Sequence, residues 1–213
     1  NLNTPYGNLS DEKIISLAES GIKHLLCKNI KVLLIACNTV TAAAVKHIRN
    51  MTDIPVIGME PAIMPAIRQT KRKKIVLHAT RATRRYKNYS VMDDVTITSC
   101  PCIGLAVYIE KNYYNDNGIL DYIKYILKPY KDINYDCLVL GCTHYVLKKN
   151  LFENVCRDKA EIFDGNKGTV SNLYKILKDN NLLNDEINPG FTKLIMTDGK
   201  REKYILYKDI MQN

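Results

Sequence analysis

No apolar run in these 213 residues approaches the roughly 18 to 20 that a membrane-spanning helix needs. The first 30 residues lack the succession of basic, apolar and small residues of a secretory signal, which argues against export. No low-complexity linker divides the chain. Seven cysteines, an odd count, do not suit a closed disulfide framework, so they read as thiols in a reducing, cytoplasmic compartment. The densest basic run, RQTKRKK at 68–74, lacks interleaved aromatics for base stacking and reads as a solvated turn, not a nucleic-acid surface. The net charge of +9 by itself does not choose between a nucleic-acid partner, an anionic small substrate and solubility alone. The opening NLNTPYGNLS has loop chemistry, no initiator methionine and no strand before the first helix, as a piece of something longer would.

What remains is an ordinary globular composition, 46% hydrophobic and 25% charged, in a length that suits one large domain or two small units. Ser10 is placed to cap a helix, with Asp11 and Glu12 in its first turn and Ile14, Leu17, Ala18, Ile22, Leu25 and Leu26 at helical spacing. VLLIA (32–36) is a short continuous apolar run of the kind found in a strand covered on both faces, and the segment after Cys37 is helical. The alternation recurs. Strands are expected at 54–58, 74–79, 94–99, 137–141, 160–163 and 193–197. Helices are expected at 61–67, in the polar stretch after 79, near 116–130, from Cys142 through Val155 and at the end of the chain. Such alternation predicts an α/β protein with mostly parallel sheets flanked by helices.

LLIACNT and LVLGCTH share one order: apolar strand, small residue, cysteine, polar residues with a threonine, helix. Ligands in open α/β sheets bind outside the carboxyl ends of the strands, where Cys37 and Cys142 would both sit. Ala36 and Gly141 leave room there for a ligand or a backbone. A helix N-terminus favours a thiolate, so each cysteine could act as base or nucleophile. The competing reading is a strand-end cysteine serving as a small buried hydrophobe. Cys27 and Cys156 read as packing. Cys100, Cys102 and Cys137 do not have zinc spacings, and His24, His47 and His78 have no metal-type companion in the sequence, so no metal site is expected.

ACNT (36–39) and GCTHY (141–145) resemble the two signature motifs of bacterial glutamate racemases, within the aspartate/glutamate racemase superfamily. TPYG (4–7), IPVIGMEPA (54–62), ATRAT (79–83), CPCIGLAVYIE (100–110) and FDGNKGT (163–169) resemble further family landmarks in the family's order, so the likeness covers nearly the whole chain. The resemblance implies two similar α/β lobes with the active site in the cleft between them, 1–61 plus 166–213 forming the first lobe and 62–165 the second. It implies interconversion of L- and D-glutamate, supplying D-glutamate for peptidoglycan, without metal, flavin or pyridoxal phosphate. Cys37 would deprotonate D-glutamate and Cys142 L-glutamate, each delivering a proton to the opposite face when the other acts as base. Tyr6, Gly7, Asn38, Thr39, Thr143 and His144 match the family's substrate contacts, with Thr80 and Thr83 beside them, and Glu110 and His144 match the groups that assist the second cysteine. Without that resemblance, Tyr6 and Gly7 could form a turn, Asn38 and Thr143 could cap helices, and Glu110 and His144 would be ordinary helix residues. The family's partner is the small-molecule substrate, and homodimers are common in it.

The chain departs from the pattern in two places. Val146 stands where the family usually has proline. The family's Asp-Ser-Gly loop, which sets an acidic residue beside the first cysteine, occurs nowhere in the 213 residues. The expectation is that these residues by themselves are inactive or weakly active, and full D-to-L conversion without an added upstream segment would refute it. Two rivals remain at this stage. One is an aspartate racemase, although His144 after Thr143 favours glutamate, since aspartate racemases more often carry glutamate there. The other is a non-catalytic amino-acid-binding homologue.

Overall fold

The computed structural model describes residues 6–80, 83, 95–157, 159–184, 190–197 and 199–212. After a 3-10 turn at Tyr6–Asn8, helix α1 (Asp11–Leu26) starts where the sequence places it, with the Ser10 hydroxyl accepting from the Lys13 N–H. Strand β1 (Leu33–Ile35), helix α2 (Asn38–Arg49) and strand β2 (Val56–Gly58) follow, and β1 and β2 pair in parallel. Ile14, Ile22, Val40, Ala44 and Ile48 bury the inner faces of α1 and α2 against this small sheet.

Helix α3 (Ile63–Gln69) leads into a second parallel sheet built from β3 (Lys74–Ala79), β4 (Thr96–Pro101), β5 (Cys137–Gly141) and β6 (Glu161–Asp164), in the order β4-β3-β5-β6. Every residue of β5 is buried, as its unbroken apolar run predicts for a strand covered on both faces. One cover is α3. The other comes from α4 (Leu105–Lys111), α5 (Asp116–Leu127), α6 (Thr143–Val146) and α7 (Lys149–Cys156), whose Ile109, Ile119, Ile123, Tyr145 and Phe152 are fully buried. Helices α8 (Asn166–Asp179) and α9 (Arg201–Gln212) complete the chain. The chain is thus α/β, with parallel sheets flanked by helices.

The two crossings between the sheets lie against each other. A Cβ on Gly165 would stand 2.5 Å from the Glu60 carbonyl oxygen, so only glycine lets these backbones touch. The basic run 68–74 covers the end of α3, a turn at 70–73 and the first residue of β3, and Asp136 ties it down by accepting from the Arg72 and Lys74 N–H groups.

Three expectations are corrected. Residues 193–197 form no strand: their apolar side chains find no ladder partner among the described residues, and Leu194, Ile195 and Met196 instead line a cavity. The helix expected from Cys142 through Val155 breaks into α6 and α7. At the break Lys148 is buried, with its ammonium 2.7 Å from Asp116 and 4.1 Å from the centre of the Tyr113 ring. Cys27 does not pack; it ends α1 and is exposed. The polar helical stretch expected after Ala79 lies outside the described residues, apart from Thr80 and Thr83.

Candidate active site

Cys37 and Cys142 hold the same local position in two different sheets. Each is the residue before a helix, α2 and α6 respectively. Each is extended, at φ −146° and ψ 115° for Cys37 and φ −150° and ψ 135° for Cys142. Neither side chain makes a capping hydrogen bond. Asn38 and Thr143 are therefore first helical residues and not the caps, and the cap position is given to a thiol at the point where amide N–H groups lack helical partners.

Both thiols open on one cavity of about 270 Å³, a volume suited to a small metabolite. Tyr6, Gly7, Asn38, Thr39, Thr80, Thr143 and His144 line it with them. Gly7 sits where a Cβ would be 2.9 Å from the Thr80 Cβ, so the first turn can reach the cavity only because it carries glycine. Thr39 joins the two sheets: its hydroxyl is 2.8 Å from that of Thr80 and 3.3 Å from that of Thr83, which are 3.0 Å apart. Thr83 thus enters behind Thr39 and does not line the cavity itself.

Burial pushes the Cys37 thiol up. The backbone amides of Val40 and Thr39 partly offset this, and the nearby Cys142 adds to it. Tyr6 is raised by burial and by Cys37. Beside Cys142, His144 Nδ1 is 4.0 Å from Sγ and His144 Nε2 is 3.4 Å from Glu110 Oε2. Burial pulls the imidazole down, but its bonds to Cys142 and Glu110 prevail and lift it to about 9. Glu110 falls to about 2, chiefly through His144 and, against the cost of burial, through Lys203, whose Nζ is 2.7 Å from Oε1. Glu110 itself stands behind His144, outside the cavity lining.

Several lining residues have no counterpart among the sequence candidates: Ala106, Leu194, Ile195, Met196 and Tyr207. Ala36, which the sequence places beside Cys37 as a small residue leaving room for a ligand, lines the cavity. The residues from 194 onward carry no local sign. The expectation that His78 has no companion is also corrected. Strand register pairs His78 with Cys100, and the donor atoms of His78, Cys100 and Cys102 lie within 4.8 Å of one another, fully buried. Cys102 Sγ is 3.2 Å from His78 Nδ1 and 3.4 Å from the Cys100 carbonyl oxygen. These are the metal-type side chains that the described fold gathers, and Cys137 is not among them.

Residues 10–173 match the family described as Asp/Glu/Hydantoin racemase. The chain belongs to that family. Among members of the family, a glutamate racemase of Clostridium botulinum (strain 657 / Type Ba4) is 35% identical over 209 residues, 96% of this chain and 80% of its own length. One from Halothermothrix orenii is 31% identical over 99% of this chain and 85% of its own. The fold agrees with solved racemases. Glutamate racemase isoform RacE1 from Bacillus anthracis superposes with a TM-score of 0.79 at 29% identity, over 89% of this chain and 73% of that one. The Francisella tularensis glutamate racemase, solved in complex with D-glutamate, superposes with a TM-score of 0.84 at 25% identity, over 100% of this chain and 81% of that one. No helix among the described residues is long and apolar enough to cross a membrane.

Proposed function

We propose that the chain is a glutamate racemase that inverts Cα with two cysteines and no cofactor. The observation that carries this reading is the matched pair, Cys37 and Cys142, brought from two sheets to one cavity in a chain whose relatives are glutamate racemases. Inversion needs a base on one face of Cα and an acid on the other. One cysteine, as thiolate, takes the Cα proton and leaves a carbanionic intermediate. The other, as thiol, gives its proton to the opposite face, and the electron pair returns to a C–H bond. Cys37 serves D-glutamate in this way and Cys142 serves L-glutamate, with His144 and Glu110 assisting Cys142.

Tyr6, Gly7, Asn38, Thr39, Thr80, Thr143 and His144 hold the substrate, with Thr83 backing Thr39 and Thr80, and its carboxylates meet the amide N–H groups at the starts of α2 and α6. The lobes divide as 1–61 plus 166–213 and 62–165, consistent with a β1-β2 sheet lying wholly in the first and β3 to β6 in the second. A cytoplasmic supply of D-glutamate for peptidoglycan is the setting that fits this reading.

The test is solvent exchange in D₂O, followed by NMR of the Cα proton on both enantiomers of glutamate and aspartate. It is run on the 213-residue chain and on one preceded by an Asp-Ser-Gly segment. Exchange on glutamate is expected from the extended chain, with little or none from the 213 residues alone; exchange confined to aspartate assigns the rival substrate, and binding with no exchange from both chains makes the protein a binding homologue.

A further inference from the structure

The cluster beside Cys142 does not end at Glu110. Lys203, in the C-terminal helix α9, places Nζ 2.7 Å from Glu110 Oε1, while Glu110 Oε2 faces His144 Nε2 at 3.4 Å and His144 Nδ1 faces Cys142 Sγ at 4.0 Å. A carboxylate with one oxygen held by a cation has its other oxygen oriented, and here that oxygen meets the imidazole. The contact is sheltered: the Glu110 side chain is 13% exposed and that of Lys203 28%. Two further contacts seat the same helix. Tyr207, one turn on from Lys203, lines the cavity, and Asp209 accepts from the Tyr114 hydroxyl at 2.8 Å.

We propose that Lys203 is a positioning residue for Cys142, holding Glu110 so that it orients His144 and thereby sets when the Cys142 thiol gives up its proton. This deepens the racemase reading and rests on it for its catalytic meaning. The sign of the effect follows from charge. His144 is faced by Cys142 from the end of β5 and by Glu110, Glu110 in turn by Lys203 from α9, and Cys142 by Cys37, Cys102 and Tyr145. Removing the Lys203 cation leaves His144 as the one group facing the Glu110 charge in the cluster described above. The local field turns more negative, and neighbouring acids keep their protons to higher pH.

The experiment is Lys203→Met, which keeps most of the stem, with Lys203→Arg as the charge-conserving control and Lys203→Gln as a second neutral variant. Two midpoints are read without calling on activity: the pH of half-maximal alkylation of Cys142 by iodoacetamide, located by mass spectrometry, and the NMR titration of the His144 imidazole. Both are expected to rise by about one pH unit in the neutral variants, a tenfold drop in thiolate at a given pH, and to stay near the parent value in Lys203→Arg. Midpoints that do not move in folded Lys203→Met or Lys203→Gln overturn the proposal, as does an equal shift in Lys203→Arg. Moved midpoints with no racemisation even when the Asp-Ser-Gly segment precedes the chain leave Lys203 in its positioning role and refute the racemase reading instead.

Discussion

Serine in place of either Cys37 or Cys142 is expected to lower glutamate racemisation by about a thousandfold, within the 10²- to 10⁴-fold range for a positioned acid–base group. The hydroxyl fills the same place at the head of α2 or α6, so the change is chemical and not architectural. A serine hydroxyl does not ionise near neutral pH, so it supplies neither a base for one enantiomer nor a ready proton for the other. The two enantiomers have equal free energy, so kcat/KM must fall by the same factor in both directions, whichever cysteine is changed. The two thiols act as a unit, and the double variant should be little worse than either single one. Coupled-assay rates in both directions check this. A single variant retaining a tenth of the parent kcat/KM would remove that cysteine from the mechanism.

Phe152→Ala is expected to destabilise the fold by about 3 to 5 kcal/mol, the cost of emptying a large core site. Phe152 is 0% exposed, with its ring centre 5.6 Å from that of His78 edge-on and 6.3 Å from that of Tyr145. It therefore ties α7 to the central strand β3 and to α6. In a chain of this size the melting temperature should fall by roughly 6 to 20 °C. Phe191→Ala is the control: at 91% exposure it should lie within about 0.5 kcal/mol of the parent. Thermal unfolding of the two variants checks both, and a Phe152→Ala melting point within 2 °C or so of the parent would mean that the site collapses freely. The change should also reach the active site. Tyr145 donates to the Cys102 carbonyl at 3.2 Å and follows His144 directly, so a loosened Tyr145 lets the imidazole drift from Cys142.

Local grammar made much of this legible. An apolar run covered on both faces, a small residue, a cysteine and a helix start are all neighbours in the chain, so LLIACNT and LVLGCTH match on contiguous residues alone. The Ser10 cap and the buried β5 strand were legible for the same reason. Lys148 was not: a helical pattern runs through it, and only the tertiary pairing with Asp116 and Tyr113 explains why the helix breaks there. The run at 193–197 misled because apolarity alone does not say whether a segment finds a strand beside it or covers a cavity.

The sequence by itself therefore determined the α/β alternation, the two cysteines at strand ends and the polar residues that accompany them, because each is written in contiguous residues. Tertiary structure decided the rest. Strand register brought His78 to Cys100, the threonine cluster joined Thr39 to Thr80 and Thr83, and the returning C-terminal segment set Leu194 to Met196 and Tyr207 around the cavity and Lys203 against Glu110. Those contacts join residues far apart in the chain, and hydrophobic periodicity records which face of an element is buried but not which distant element buries it.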